Sequence, residues 1–233
     1  MSKPVCIIVG IGPGNGAALA RRFAAEGYAV ALLTRDQAYA GRLAAELDGA
    51  RAYPCDASDP SSIETAFAAA RRDLGDAAVL VYNAGSGVFG NVEELSVDAF
   101  ESAWRINALG AFVASRQVIP AMKAHGGGAI VFIGATASRK GGARSAGFAS
   151  AKAAQRTLAE SMARHLWPSG IHVAVVIIDG VVDLPRTRER MPGKPDSFFV
   201  KPDAVAQTVV AIARQDRSAW SFEVEARPFG ETW

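Results

Sequence analysis

The stretch VCIIVGIGPGNGAALARRFAAE, from Val5 to Glu26, decides how the rest of the chain is read. Val5–Val9 has the unbroken apolar character of a buried strand. Gly10, Gly12, Gly14 and Gly16 make the turn that follows, with Asn15 at its exit, and Ala17, Leu19, Ala20, Phe23 and Ala24 then recur at helical spacing. A helix that starts at such a turn leaves its first backbone N–H groups unpaired and carries partial positive charge there, so it attracts phosphate. The glycines let the backbone turn tightly, approach a diphosphate without a Cβ clash, and pack the helix closely on the sheet. Strand, glycine turn and helix in that order point to nucleotide binding; an ordinary βα loop is the alternative.

Working outward, no linker, low-complexity run or internal repeat divides the 233 residues, so one domain spanning 1–233 is expected. Half the residues are hydrophobic and 21% are charged, a balance that excludes a disordered chain. A net charge of +2 with dispersed arginines gives no large field, so no nucleic-acid partner is expected. The N-terminal apolar run is cut at Gly10, too early for a signal peptide, and nothing approaches a membrane span, so the expected location is cytoplasmic with no membrane partner. Cys6 and Cys55 fall on or beside the first and third strands. With the strand of Tyr28–Leu33 between them they lie too far apart for a disulfide, and buried reduced thiols are expected.

Further strands are read at Tyr28–Leu33, Ala50–Pro54, Ala78–Tyr82, Ala129–Ile133, Ile171–Ile178 and Trp220–Ala226. Helices are read at Gln37–Leu47, Pro60–Leu74, Val97–Ala124, Phe148–His165 and Pro202–Arg214, with an irregular stretch over Gly180–Lys201. This alternation predicts an α/β fold: a Rossmann-like, doubly wound, seven-stranded and mostly parallel sheet with helices on both faces. Its ligand belongs over the carboxyl ends of the strands.

With these residues placed, the chain resembles the short-chain dehydrogenase/reductase family over nearly its whole length. Gly10, Gly14 and Gly16 match its GxxxGxG turn, although Val9 stands where the family usually has Thr. Asp56-Ala57 matches the acid that binds the adenine amine, and Asn83-Ala84-Gly85 matches the NAG stretch that supports the sheet along the adenosine. Asn107 falls on the helix asparagine that supports a water relay, and Lys152 on the lysine of the YxxxK motif. The resemblance implies a nicotinamide cofactor, a small-molecule substrate and a homodimer or homotetramer built through the helices at 97–124 and 148–165. It also places Gly180 and Val182, after the sixth strand, on the cofactor.

Strand two ends in Thr34-Arg35, which suits the 2′-phosphate of NADP(H). Asp36, about twenty residues past the glycines, leaves NAD(H) open. Where the family has its catalytic tyrosine this chain has Phe148, and where it has its serine this chain has Ala135. Asn107 and Lys152 remain as catalytic candidates, in what looks like an atypical subgroup. Thr136, Ser138 and Ser145 are read as loop hydroxyls bonded to nearby backbone. Lys152, near an apolar wall, is the better proton donor if its pKa is lowered; the alternative is a structural role, holding the nicotinamide ribose hydroxyls. Residues 184–200 fit a substrate loop made basic by Arg186, Arg188, Arg190 and Lys194, which suits either an anionic substrate or, the safer reading, a solvated helix face, with Phe198 and Phe199 either a lid or an anchor. The three histidines are not spaced as a metal site, so no metal is assigned. Two functions follow: an oxidoreductase with a non-standard proton donor, or a nucleotide-binding sensor or partner subunit that lacks the chemistry.

Overall fold

In the computed structural model, which describes residues 3–230, the chain alternates strand and helix from its start. The first half runs β1 (Val5–Val9), α1 (Asn15–Ala25), β2 (Ala29–Thr34), α2 (Gln37–Glu46), β3 (Ala50–Pro54), α3 (Pro60–Leu74) and β4 (Ala77–Tyr82). The second runs α4 (Val97–Trp104), α5 (Gly110–Ala124), β5 (Gly128–Ala135), α6 (Ala146–Leu166) and β6 (Ile171–Ile178). It closes with β7 (Val181–Val182), α7 (Pro185–Arg190), β8 (Phe199–Val200), α8 (Pro202–Ala213) and β9 (Glu223–Ala226). Seven strands pair in the order β3-β2-β1-β4-β5-β6-β9, every pair parallel rather than mostly so.

Parallel strands need helical crossovers, which cover both faces and leave each strand apolar on both sides. In β1, Val5, Ile7 and Val9 pack against one helix layer and Cys6 and Ile8 against the other. The first layer brings Phe67 of α3, Val118 of α5 and Ala159 of α6; the second brings Phe23 of α1, Leu43 of α2 and Val209 of α8. Cys6 and Cys55 are free and buried with β2 between them, and burial pushes the Cys55 thiol up to about 12.

Three sequence expectations change. The helix read at Val97–Ala124 is interrupted over Arg105–Leu109 by a π turn, whose end is marked by Gly110 N–H reaching back to Arg105 O. A Cβ on Gly110 would come within 2.2 Å of Ala57 O, so the start of α5 is pressed onto the segment leaving β3, and the widened turn sits where that approach is closest. The stretch read as irregular over Gly180–Lys201 holds α7 and a small parallel sheet, Val181 opposite Phe199 and Val182 opposite Val200. The final strand is only Glu223–Ala226, because Trp220 turns aside to pack on a histidine.

That histidine, His172 of β6, stacks flat on Trp220 at 4.7 Å, meets the edge of Trp167 at 5.9 Å, and pairs through Nε2 with Ser221 O at 2.9 Å. Burial lowers its pKa, so the folded protein favours the neutral ring. Between this lowered value and about 6.5 the unfolded chain binds more protons, so stability is complete above that window and falls as pH drops through it. Thermal unfolding midpoints followed by tryptophan emission should fall on acidification below about pH 6.5, and the fall should be visibly shallower in His172→Leu.

Candidate functional site

The chain passes from β3 at one edge to β4 on the far side of β1, so the carboxyl ends of β1 and β4 form the topological switch point. Two adjoining cavities of about 540 and 590 Å³ open there and share Gly10, Gly12, Asn83, Gly85, Leu184 and Arg186. Every residue expected to bind a cofactor lines one or both: Gly10, Gly12, Gly14, Asn15, Gly16, Thr34, Arg35, Asp56, Ala57, Asn83, Ala84, Gly85, Lys152, Gly180 and Val182. Asn107 does not; it lies behind the cavities, fully buried in the π turn.

The glycine turn is shaped by contact. A Cβ on Gly10, whose φ is +96°, would sit 2.4 Å from Ala84 N, and one on Gly16 would sit 2.6 Å from Gly10 O. A Cβ on Gly12 would meet nothing within 4 Å and would project into the open cavity. Asn83 Nδ2 donates to Gly10 O at 2.7 Å and so ties the end of β4 to the turn. The N-terminus of α1 has no side-chain cap, which leaves its first amides for an anion, and Asn15 Oδ1 is buried without a partner.

At the end of the first cavity, Asp56 accepts from Ser58 N and Oγ, and these bonds, aided by the Arg35 charge, hold its carboxyl below the usual range. Thr34 and Arg35 line this end, whereas the Asp36 carboxylate accepts from Tyr39 N and caps α2.

At the end of the second cavity, Ala135 closes β5 and Phe148 stands one helical turn before Lys152 on α6. The Phe148 ring meets Phe89 at 5.3 Å and forms an apolar wall. Lys152 is 4% exposed; its Nζ donates to Ile133 O at 2.8 Å and to Gln155 Oε1 at 3.0 Å. Burial alone lowers its pKa to about 7. The hydroxyls nearby are engaged: Ser145 Oγ donates to Gly142 O at 3.0 Å and Ser138 Oγ accepts from Ala135 N at 3.1 Å, local backbone bonds as expected, whereas Thr136 Oγ1 donates to the Asp179 carboxylate at the end of β6 instead of to nearby backbone. Gln155 escaped the sequence reading. Its signal was a polar residue three positions after Lys152, on a face where Ala151, Ala159 and Ala163 are buried.

The basic loop is partly stapled. Arg188 is held by Asp183 and Asp196 and lies over the Phe199 ring at 4.1 Å, and Phe199 is buried, so this pair anchors the loop. Leu184 reaches over the turn, where a Cβ on Gly14 would meet its Cδ2 at 2.5 Å. Arg186 lines both cavities.

These contacts separate the glycines. Gly10→Ala and Gly16→Ala should each lower stability by more than about 2 kcal/mol, because backbone stands where the methyl must go. Gly12→Ala should stay within roughly 0.5 kcal/mol of the parent in urea unfolding.

A family model described as short chain dehydrogenase matches residues 4–193. The chain is 37% identical over 160 residues to inactive 2-(S)-hydroxypropyl-CoM dehydrogenase 2 of Xanthobacter autotrophicus, covering 68% of this chain and 69% of that one. Among solved structures it is similar to a short-chain dehydrogenase from Rhodopseudomonas palustris, with a TM-score of 0.84 and 34% identity over 97% of this chain and 99% of that one. It is also similar to an alcohol dehydrogenase from the archaeon Thermococcus sibiricus, complexed with 5-hydroxy-NADP, with a TM-score of 0.88 and 26% identity over 99% of each chain. By sequence and by fold, the chain belongs to the short-chain dehydrogenase family.

Proposed function

We propose that the chain is a nicotinamide-dependent oxidoreductase of a small-molecule substrate, with NADP(H) preferred over NAD(H), in which Lys152 rather than a tyrosine supplies the proton. One observation carries this reading: at the reactive end Ala135 and Phe148 have no proton to give, the hydroxyls of Thr136 and Ser145 already donate elsewhere, Arg186 stays charged, and among the described residues Lys152 is the group left on the cavity wall that can release a proton near neutral pH.

The residues fit a dinucleotide. The open space at Gly12, the uncapped amides of α1 and the unpartnered Asn15 Oδ1 form a cradle for a diphosphate and its ribose. Asp56 and Ala57 would hold the adenine, Asn83, Ala84 and Gly85 the adenosine, and Gly180 and Val182 the nicotinamide side. Thr34 and Arg35 face the first cavity while Asp36 is spent on capping α2, which supports the 2′-phosphate. The Thermococcus sibiricus relative, complexed with 5-hydroxy-NADP, supports it as well.

Bound there, the nicotinamide supplies hydride to an electrophilic carbon. Lys152, with a pKa of about 7, holds a proton at Nζ that it can release near neutral pH into the cavity that Phe148 and Phe89 also line. A single acid of this kind suits an imine, which it would protonate to the iminium that accepts hydride, or an activated alkene, which it would protonate at the carbon left anionic by hydride addition, better than a plain ketone, which needs a stronger polarising donor. Val97, Phe100, Trp104 and Phe112 form an exposed apolar stripe along α4 and α5, which supports pairing of these helices in a homodimer or homotetramer.

A non-catalytic nucleotide sensor or partner subunit is the second reading, favoured by the two missing hydroxyls and by the word inactive in the name of the Xanthobacter relative. NADPH consumption with a panel of imines, enones and ketones separates the two. The parent should turn over an imine or enone with NADPH faster than with NADH, and Lys152→Met should lose roughly 100-fold in rate while still binding NADPH. NADPH binding with no turnover of any acceptor favours the sensor.

A further inference from the structure

Behind the reactive end, a run of neutral groups crosses from α6 to the π turn. Lys152 Nζ donates to Gln155 Oε1 at 3.0 Å, Gln155 Nε2 donates to Asn107 O at 2.9 Å, and Asn107 Nδ2 donates to Ala103 O at 2.8 Å. Gln155 is 1% exposed. An amide taken out of water this completely is tolerated only when both its ends are paired, and here both are. The pairing also fixes which way the amide points. Asn107 O accepts only a hydrogen, so the NH₂ end must face the π turn and the oxygen must face Lys152.

The consequence falls on the amine. Ile133 O and Gln155 Oε1 take two of its hydrogens, and Gln155, unlike Lys152, does not line the cavity. The third valence, a lone pair when neutral and an N–H when charged, is the one left for the cavity that Lys152 lines. We infer that Gln155 is a positioning residue: it locks the inner side of the Lys152 amine so that its transferable proton points at the ligand and is replenished from the cavity, because a carboxamide does not readily pass a proton on. The inference rests on the reading of Lys152 as proton source. The groups that face the amine from each neighbouring element are uncharged: Ile133 O from β5, Asn107 from the π turn, Gly85 from the segment after β4, and Gln155 from α6 itself. Burial alone accordingly sets its pKa.

The test titrates Lys152 directly in the full chain, without cofactor or substrate, by the ¹³Cε shift of labelled lysine, with Lys152→Met giving the assignment. In Gln155→Glu a carboxylate takes the place of the amide oxygen, and the midpoint should rise by about one unit or more. In Gln155→Met, which keeps the volume but removes the acceptor, it should fall by about half a unit. If Gln155→Glu does not fold, Gln155→Met still decides. Midpoints within about 0.3 units of the parent in every folded variant overturn the inference and leave Gln155 a packing residue. Moving midpoints in a protein that consumes no NADPH support the hold of Gln155 on the amine and overturn the oxidoreductase reading instead.

Discussion

An amine enclosed by neutral groups is expensive to keep charged, and that constraint governs the reactive end of this protein. Among the described residues no carboxylate pairs with Lys152; its acceptors are a main-chain carbonyl and an amide oxygen. A lysine on the surface stays protonated to about pH 10 and gives its proton to nothing weakly basic, whereas one desolvated like this releases it near neutrality. In the proposed function, with neither a phenol nor a serine hydroxyl beside it, the acid chemistry would fall to this amine.

The fold supplies what the amine requires. β5 brings Ile133 O, α6 carries Phe148, Lys152 and Gln155 along one side, and the π turn holds out Asn107 O, to which Gln155 is bound. The widened turn is itself satisfied from both sides, since the Tyr82 hydroxyl donates to Ile106 O. At the other end of the cavity, Gly10 and Gly16 are required by neighbouring backbone, and Gly12 by the open space that a ligand would use. The same cluster of glycines thus serves packing at two positions and access at a third.

Much of this was legible in the sequence, for physical reasons. Buried strands and amphipathic helices announce themselves by periodicity, and a glycine turn between them has few other uses, so the sheet, its switch point and the cavity-lining residues follow from residue order. Three features did not follow. The π turn leaves the helical spacing of FESAWRINALGAFVAS almost intact, so only the backbone reveals it. Gln155 sits on an alanine-rich helix whose buried face is weakly marked, and its pairing is with residues far away in sequence. Arg188 reads as part of a basic patch, yet Asp183 and Asp196 neutralise it in three dimensions. The main-chain oxygen of Asn107, the residue on which the resemblance implies a water relay, accepts from Gln155. In each case the deciding partner lies on another element, or the change is in the backbone rather than in the residue pattern.

A dinucleotide that binds beside an amine poised between its two protonation states must exchange protons as it binds. Calorimetric titration of NADPH into the protein about one unit above the Lys152 value, in two buffers of different ionisation enthalpy, counts the protons exchanged on binding. Fractional proton uptake per site is expected, because the negative dinucleotide raises the affinity of the amine for a proton, and none in Lys152→Met. Failure of NADPH to bind, or binding with the same proton count in parent and variant, would contradict it.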